Sequence, residues 1–198
     1  MDIKDHVSEK LIETVYENLS KKLNKKYHYH NLIHTKRVIS SAINIGSHYN
    51  LSDSGWKILL TSCLLHDYGF LYSHIDHEEK GSEIAKSILP SYGFNDNHIK
   101  SVQKLILITK VDAKPTNLLE SIIRDSDLEY LGSNEFKSIS ENLKKEWIDC
   151  GVVADDSNFY DAQLKFLNAH NFYTDYMNKE CKANKEANIN YAEMMNKS

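Results

Sequence analysis

The sequence has few of the residues that interrupt or cross-link a chain. Two prolines and seven glycines are spread over 198 residues, and no proline-rich or Ser/Gly-rich stretch separates one part from another. Such residues mark turns and linkers, so their scarcity argues against many short strands and against a domain boundary. The three cysteines have no CxxC spacing, which argues against a disulfide framework and a cysteine zinc site. We therefore expect one domain over residues 1–198, with reduced thiols.

Charge and hydropathy also exclude two classes of partner. The 24 basic and 28 acidic residues give a net charge of -4, which provides no basic surface for a nucleic-acid polymer. A small anion is not excluded, because a few clustered cations suffice to bind phosphate. The first residues, MDIKDHVSEK, are too charged for a signal peptide, and no apolar run approaches the length that spans a membrane. We expect a cytoplasmic protein, monomeric or homodimeric, without a membrane partner.

Apolar residues recur at helical spacing along almost the whole chain, and strand-like alternation is missing over any useful length. Asn31 is a candidate N-cap, which places His34 in the first turn of its helix. Residues 58–65, ILLTSCLL, are apolar almost all round and predict a helix at the centre of the domain that ends in His66 and Asp67. The sequence thus predicts an all-α, single-domain helical bundle.

Further helix boundaries follow from turn and capping residues. Asp76 with Glu79 three residues later resembles a capping box at the start of a helix. Pro115 and Thr116 indicate the start of a helix that continues through Asp127 toward Gly132. A clean apolar stripe at positions 136, 139, 143 and 147 predicts another helix, and the segments around 159–167 and 172–177 look helical too.

The His66-Asp67 pair is the most informative local feature. A carboxylate buried beside an imidazole is costly unless something compensates its charge, and a bound cation is one such compensation. The alternative is that Asp67 pairs with a basic side chain or caps a helix while His66 hydrogen-bonds locally. A helical bundle could bring His34 and Asp127 to the same place. Imidazole nitrogens and carboxylate oxygens suit Mn²⁺, Fe²⁺, Co²⁺, Ni²⁺, Zn²⁺ or Mg²⁺ without choosing among them.

Three short segments together resemble a known signature. Tyr-His-Asn at 29–31 is followed by His34, Leu-Leu-His-Asp stands at 64–67, and Asp-Ser-Asp-Leu stands at 125–128. In this order they resemble the H…HD…D signature of HD-superfamily phosphohydrolases. The resemblance covers residues 27–132, which would be the metal-binding core, and residues 133–198 would complete the domain. It implies an all-helical enzyme that hydrolyses a small phosphate ester, nucleotide-like in many members, with a divalent metal.

The resemblance also implies roles for individual residues. His34, His66, Asp67 and Asp127 would hold one metal ion, with His66 and Asp67 also acting in catalysis and Asp67 orienting the water. Asp125 is the alternative to Asp127, and otherwise a solvated residue. His77 lies where two-metal members supply a further histidine, but residues 107–110 read Leu-Ile-Thr-Lys where those members tend to carry another. We therefore expect one metal ion rather than two.

Several side chains are candidates for contact with the substrate. Those nearest the signature are His30, Arg37, His77, Lys110 and Arg124. For each cationic side chain among them, a solvated surface charge or an ion pair explains its presence as well as contact with the substrate does. His170, with Gln163, Lys182 and Lys185, would form a further wall of the substrate site or serve packing alone.

Three other functions compete with hydrolysis. They are a catalytically silent nucleotide- or metal-binding sensor on the same fold, a di-iron oxygenase with additional histidine ligands, and a purely structural interaction protein. The last gives no reason for a His-Asp pair at a buried helix end.

Overall fold

The structure is a computed structural model that describes residues 1–197, apart from the side chain of residue 157. The described residues form ten α-helices and four short 3-10 turns joined by loops, and they contain no strand. The prediction of an all-α fold is confirmed. The helices are α1 (Glu9–Lys22), α2 (Leu32–Gly46), α3 (Asp53–Leu65), α4 (His77–Ile88), α5 (Asp96–Leu107), α6 (Leu118–Asp127), α7 (Phe136–Asp149), α8 (Asp156–Ala169), α9 (Asp175–Glu180) and α10 (Lys182–Asn196).

Short polar side chains begin most of these helices, and they explain where the predicted boundaries were right or wrong. Asn31 accepts hydrogen bonds from the second and third N–H groups of α2, as predicted. The capping box predicted at Asp76 is wrong, because this residue has a left-handed φ of 56° and its side chain makes no capping hydrogen bond within the described chain. α6 begins at Leu118, three residues after Pro115 and two after Thr116, because Asn117 accepts a hydrogen bond from the N–H of Glu120.

Helix α3 lies at the centre of the bundle, as its apolar sequence predicted. Leu59, Leu60 and Leu65 are completely buried, and the helix packs against α1, α2, α5 and α6. A helix that is apolar on every side is stable only when other elements surround it. The end of α3 therefore lies inside the protein, and the residues that follow it start from a buried position.

The C-terminal helices pack onto this core. α10 contacts α8 and the 3-10 turn at Glu129–Gly132, and α7 contacts both α8 and that turn. Of the predicted helical segment 172–177, the part around Phe172 is a loop, and the part from Asp175 onward belongs to α9. The division into a metal-binding core, residues 27–132, and C-terminal helices that complete the domain, residues 133–198, stays a prediction. None of the helices within residues 1–197 combines the length and the apolar character needed to cross a membrane.

Gly69 fixes how the chain leaves the His66-Asp67 pair. A Cβ atom at this position would lie 1.9 Å from the backbone carbonyl oxygen of His77, which starts α4. No side chain fits there, so glycine allows the 3-10 turn Tyr68–Leu71 to pack directly against α4. This close approach brings His77 toward Asp67.

Candidate metal centre

Three helices deliver four predicted ligands to one place. His34 lies in the first turn of α2, His66 and Asp67 directly follow α3, and Asp127 is the last residue of α6. Both histidines and Asp67 are buried. The first turn of α2 and the ends of α3 and α6 meet because α2 packs against both other helices.

The ligand atoms lie at distances that suit a shared cation. His34 Nε2 is 3.2 Å from His66 Nε2 and 3.1 Å from Asp127 Oδ1, and His66 Nε2 is 3.5 Å from the same oxygen. Asp67 Oδ2 lies 3.3 Å from His34 Nε2 and 3.1 Å from His66 Nε2. Ligands at about 2.1 Å from a metal lie about 3.0 Å apart in octahedral and about 3.4 Å apart in tetrahedral geometry. Four of the five observed distances fall in that range, and the fifth, 3.5 Å, lies just above it.

Hydrogen bonding shows which atom of His66 faces the site. Its Nδ1 lies 2.9 Å from the carbonyl oxygen of Cys63, which can only accept, so Nδ1 carries the proton and donates. In the neutral ring, Nε2 is then left with a lone pair directed at the carboxylates. Metal-binding histidines are commonly oriented by a bond of this kind to a backbone carbonyl.

Asp67 supplies the second observation that a cation fits here. Its Oδ2 is fully buried and accepts no hydrogen bond from any residue of the described chain. A buried carboxylate oxygen without a donor is costly, and a metal ion among the four side chains would remove that cost. Residues 1–197 contain one cluster of His, Cys, Asp or Glu ligand atoms lying within 4.8 Å of one another, formed by His34, His66 and Asp127.

The electrostatics of the site favour positive charge. Burial opposes the charged form of His66, yet the neighbouring Asp67 and Asp127 carboxylates outweigh it and raise the pKa of the ring well above its ordinary value. Burial likewise opposes ionisation of Asp127, but the two histidines hold its pKa below the ordinary range. The same negative field that favours a proton on the ring also favours a cation between the ligands.

Asp125 has a different role from Asp127. It is completely buried, and its carboxylate accepts the N–H groups of Tyr173 and Thr174 at 2.9 and 2.8 Å and the Thr174 hydroxyl at 2.7 Å. The prediction that Asp125 is solvated is wrong. Two positions along a helix point in different directions, so Asp127 faces the histidines while Asp125 holds the loop before α9.

His77 lies at the margin of the cluster. Its Nδ1 donates to the carbonyl oxygen of His74 at 3.3 Å, which leaves Nε2 3.4 Å from Glu78 Oε1 and 3.7 Å from Asp67 Oδ1. The ammonium group of Lys110 forms an ion pair with Glu79, so it is not directed at the ligand cluster. The structure thus places His77 beside Asp67 and ties Lys110 to a partner.

The two arginine candidates are both engaged. Arg37 pairs with Glu129 at 2.8 Å and with Glu135 at 2.7 Å. Arg124 is buried, and its guanidinium donates to the backbone carbonyl oxygens of residues 109, 110 and 111 at 2.8, 2.6 and 3.1 Å. These contacts favour structural roles, with Arg124 holding the loop between α5 and α6.

His30 has a partner that the sequence interpretation missed. Its Nδ1 donates to Glu146 of α7, and the same carboxylate accepts the backbone N–H groups of Tyr29 at 2.8 Å and His30 at 3.0 Å. Glu146 is buried. A signal was present, since this residue follows Leu143 by three positions and precedes Trp147, so it lies on the apolar face of its helix.

A cavity of about 440 Å³ opens directly beside the ligands. Asp67 and Asp127 line it, together with His30, His77 and Arg124 among the predicted substrate residues. α7 and α8 form its other side with mostly apolar and aromatic side chains. The volume lies within the range of about 300–1,000 Å³ found for small-molecule sites.

The C-terminal candidates separate into three environments. Gln163 lines the cavity, and Lys182 is exposed. His170 is buried between Phe166 and Phe172, and Lys185 donates to its backbone carbonyl oxygen. Of the four, Gln163 has the side chain best placed to meet a ligand.

Comparison with known proteins supports the fold. No protein-family model matches the chain, and no curated protein matches it in sequence. The structure is similar to the crystal structure of a protein described as a predicted HD superfamily hydrolase, from an uncultured Thermotogales bacterium. The two share 19% sequence identity with a TM-score of 0.65, over 98% of this chain and 97% of the other. The chain therefore has an HD-type helical fold, which carries a His/His/Asp cluster able to hold a metal ion.

Proposed function

We propose that this protein is a divalent-metal-dependent phosphohydrolase that cleaves a small phosphate ester with activated water. One observation carries the proposal. Ligand atoms of His34, His66 and Asp127 lie within 4.8 Å of one another beside a cavity. Asp67 Oδ2 lies 3.3 and 3.1 Å from the two histidine Nε2 atoms and is buried without a hydrogen bond within residues 1–197. A divalent cation held there lowers the pKa of water and polarises a phosphoryl oxygen.

Asp67 can serve both metal and water because its two oxygens face different neighbours. Oδ2 lies beside the nitrogens of His34 and His66, whereas Oδ1 lies 3.7 Å from His77 Nε2, and the residue lines the cavity. We infer that Oδ2 would be the oxygen that holds a cation, while Oδ1 would accept a hydrogen bond from the attacking water. A carboxylate that accepts this proton would act as the general base.

His30 is the best placed residue for contact with the ester. It lines the cavity, its ring stacks on Phe70 at 4.5 Å between centroids, and its Nδ1–H is held by Glu146. That hydrogen bond fixes the ring and leaves Nε2 for the ligand. We infer that His30 contacts the phosphate or the leaving oxygen. We propose a nucleotide-like substrate because of the family resemblance of the sequence. We propose a cytoplasmic monomer or homodimer on the basis of the sequence.

A catalytically silent binding module is the second candidate, and one observation favours it. Arg37 and Lys110 are in ion pairs, and Arg124 is bound to backbone carbonyls. The cationic candidates near the site are therefore already engaged, although a phosphohydrolase gains from cations that clamp the phosphate. Hydrolysis of a phosphate ester is the property that separates the two candidates.

The test is release of phosphate by the Mn²⁺-loaded protein from a panel of phosphomonoesters and nucleotides. We compare the wild type with Asp67→Asn, and use Asp161→Asn as the matched control because Asp161 forms an exposed ion pair with Lys165 on α8. Loss of an outer partner of a metal ligand costs about 10- to 100-fold in activity or affinity, so loss of a ligand should cost at least that much.

We expect Asp67→Asn to lose activity and metal together, and Asp161→Asn to keep both. A wild-type protein that binds metal stoichiometrically yet releases no phosphate from any ester would refute the hydrolase. Thermal stabilisation by a nucleotide without product would instead establish the binding module.

A further inference from the structure

The cavity wall next to the predicted ligand cluster carries two tyrosines. Tyr29 lies in the loop before α2, and Tyr130 lies in the 3-10 turn Glu129–Gly132 that follows α6. Both residues line the cavity, and their rings contact each other with centroids 5.5 Å apart. The ring of Tyr29 also contacts the imidazole of His34, with 4.5 Å between centroids. Two phenols therefore stand beside the cluster.

Neither phenol has a hydrogen-bond partner for its hydroxyl group within residues 1–197. Tyr29 and Tyr130 are only 9% and 5% exposed, yet neither hydroxyl oxygen is among the described atoms that are sealed off from solvent without a partner. Each hydroxyl therefore keeps some accessible surface. Because both residues line the cavity, a ligand in the cavity is the molecule that can satisfy them.

Other polar groups of the same cavity wall are already engaged. The hydroxyl of Thr109 donates to a backbone carbonyl oxygen at 2.7 Å, and the guanidinium of Arg124 donates to three loop carbonyls. The carboxylate of Glu146 accepts three N–H groups from the loop before α2. The two phenols differ from these groups because their donors remain available.

A phenol at neutral pH is protonated and can donate one hydrogen bond, because its ordinary pKa is about 10. Burial, and after it the negative charge of Asp127, raises the pKa of Tyr130 further. Burial, the neighbouring Tyr130 and Asp127 raise the pKa of Tyr29 as well. Hydroxyl donors bind anionic oxygens more strongly than neutral ones, and a phosphoryl group offers such oxygens.

We propose that the hydroxyl groups of Tyr29 and Tyr130 donate hydrogen bonds to oxygens of the phosphoryl group of the ester. The inference rests on the proposed function, since that function brings a phosphoryl group to the ligand cluster. Tyrosine hydroxyls can stabilise an oxyanion without carrying a charge themselves. They would thus supply the contacts that the engaged cations Arg37, Lys110 and Arg124 do not.

Binding of inorganic phosphate to the Mn²⁺-loaded protein measures these contacts without turnover. Phosphate is titrated calorimetrically into the wild type, Tyr29→Phe and Tyr130→Phe, and each variant loses one hydroxyl while it keeps the ring. Tyr191→Phe is the matched control, because Tyr191 of α10 contacts the ring of Phe136, as Tyr130 does, but lies outside the cavity wall. Thermal unfolding and metal content verify that every variant is folded and loaded.

We expect phosphate to bind the wild type and its Kd to rise about tenfold in Tyr29→Phe and in Tyr130→Phe, the loss that corresponds to one hydrogen bond to a charged group. Tyr191→Phe should bind phosphate as the wild type does. With an ester that the protein hydrolyses, kcat/KM should fall by a similar factor in the two variants of the cavity wall at unchanged metal content.

Absence of phosphate binding by the loaded wild type, an unchanged Kd in both folded variants, or an equal loss of affinity in Tyr191→Phe would overturn the two contacts. These outcomes differ from failure of the proposed function. A protein that binds phosphate through the two hydroxyls but cleaves no ester would refute the hydrolase and retain the contacts. An active hydrolase with unchanged phosphate affinity in both variants would retain the function and refute the contacts.

Discussion

His170 should make the protein less stable as the pH falls below neutrality. The side chain is buried, and neither ring nitrogen has a hydrogen-bond partner within residues 1–197. Burial disfavours the charged ring, and the cations of Lys185 from α10 and Arg124 from α6 disfavour it further, so that the pKa of His170 is lowered to about 3. The unfolded chain exposes this residue, which there has a pKa of about 6.5.

The size of the effect follows from proton linkage. Between pH 6.5 and 3 the unfolded state binds a proton at His170 that the folded state does not, so the free energy of unfolding decreases as the pH is lowered. Each pH unit of that window is worth about 1.36 kcal/mol. Lowering the pH from 7 to 5 crosses about 1.5 units of it, which corresponds to about 2 kcal/mol.

His170→Phe isolates this contribution, since phenylalanine retains an aromatic ring between Phe166 and Phe172 but cannot be protonated. We expect the variant to lose about 2 kcal/mol less stability than the wild type between pH 7 and pH 5. Urea unfolding in EDTA measures this without metal binding. His48→Phe, at an exposed position, should behave as the wild type does. Identical pH dependence of His170→Phe and wild type would refute the reasoning.

Three further predictions concern residues around the site. Arg124→Met leaves three loop carbonyls without their donor, so it should lower the free energy of unfolding, measured in urea, by about 3 kcal/mol. Unchanged stability together with a raised KM would instead indicate that Arg124 contacts the phosphate. Gly69→Ala should cost at least about 2 kcal/mol because its Cβ meets backbone, whereas Gly55→Ala, 3.4 Å from its nearest neighbour, should not be destabilised. Glu146→Gln should lower kcat/KM by about tenfold while the metal content stays unchanged. If the metal content falls as much as kcat/KM does, Glu146 is itself a metal ligand.

The fold was predictable because apolar residues recur at helical spacing along almost the whole chain. Helical spacing of apolar residues and the cap of α2 follow from local chemistry, so the all-α architecture and the central position of α3 could be inferred. Two helix starts were predicted wrongly. Asp76 takes a left-handed conformation, and Asn117 caps α6 although a proline stands two residues before it.

The sequence indicated which four side chains would lie close together, but not what surrounds them. His34, His66, Asp67 and Asp127 carry a recognisable order along the chain, and the structure brings them together. The partners of Arg37, Lys110 and Arg124 come from distant segments, so no local pattern revealed them. The buried carboxylates Glu146 and Asp125 hold loops far away in sequence, and only the packing of helices shows which loops these are.

The proposed function requires that four side chains from three helices hold a single cation. Anomalous diffraction from crystals grown with Mn²⁺ can test this, since the scattering peak locates the metal. We expect one peak at about 2.0–2.2 Å from Nε2 of His34 and of His66 and from carboxylate oxygens of Asp67 and Asp127. Contrary evidence would be a peak elsewhere, or a peak that lacks the imidazole of His34 or the carboxylate of Asp127 as a ligand.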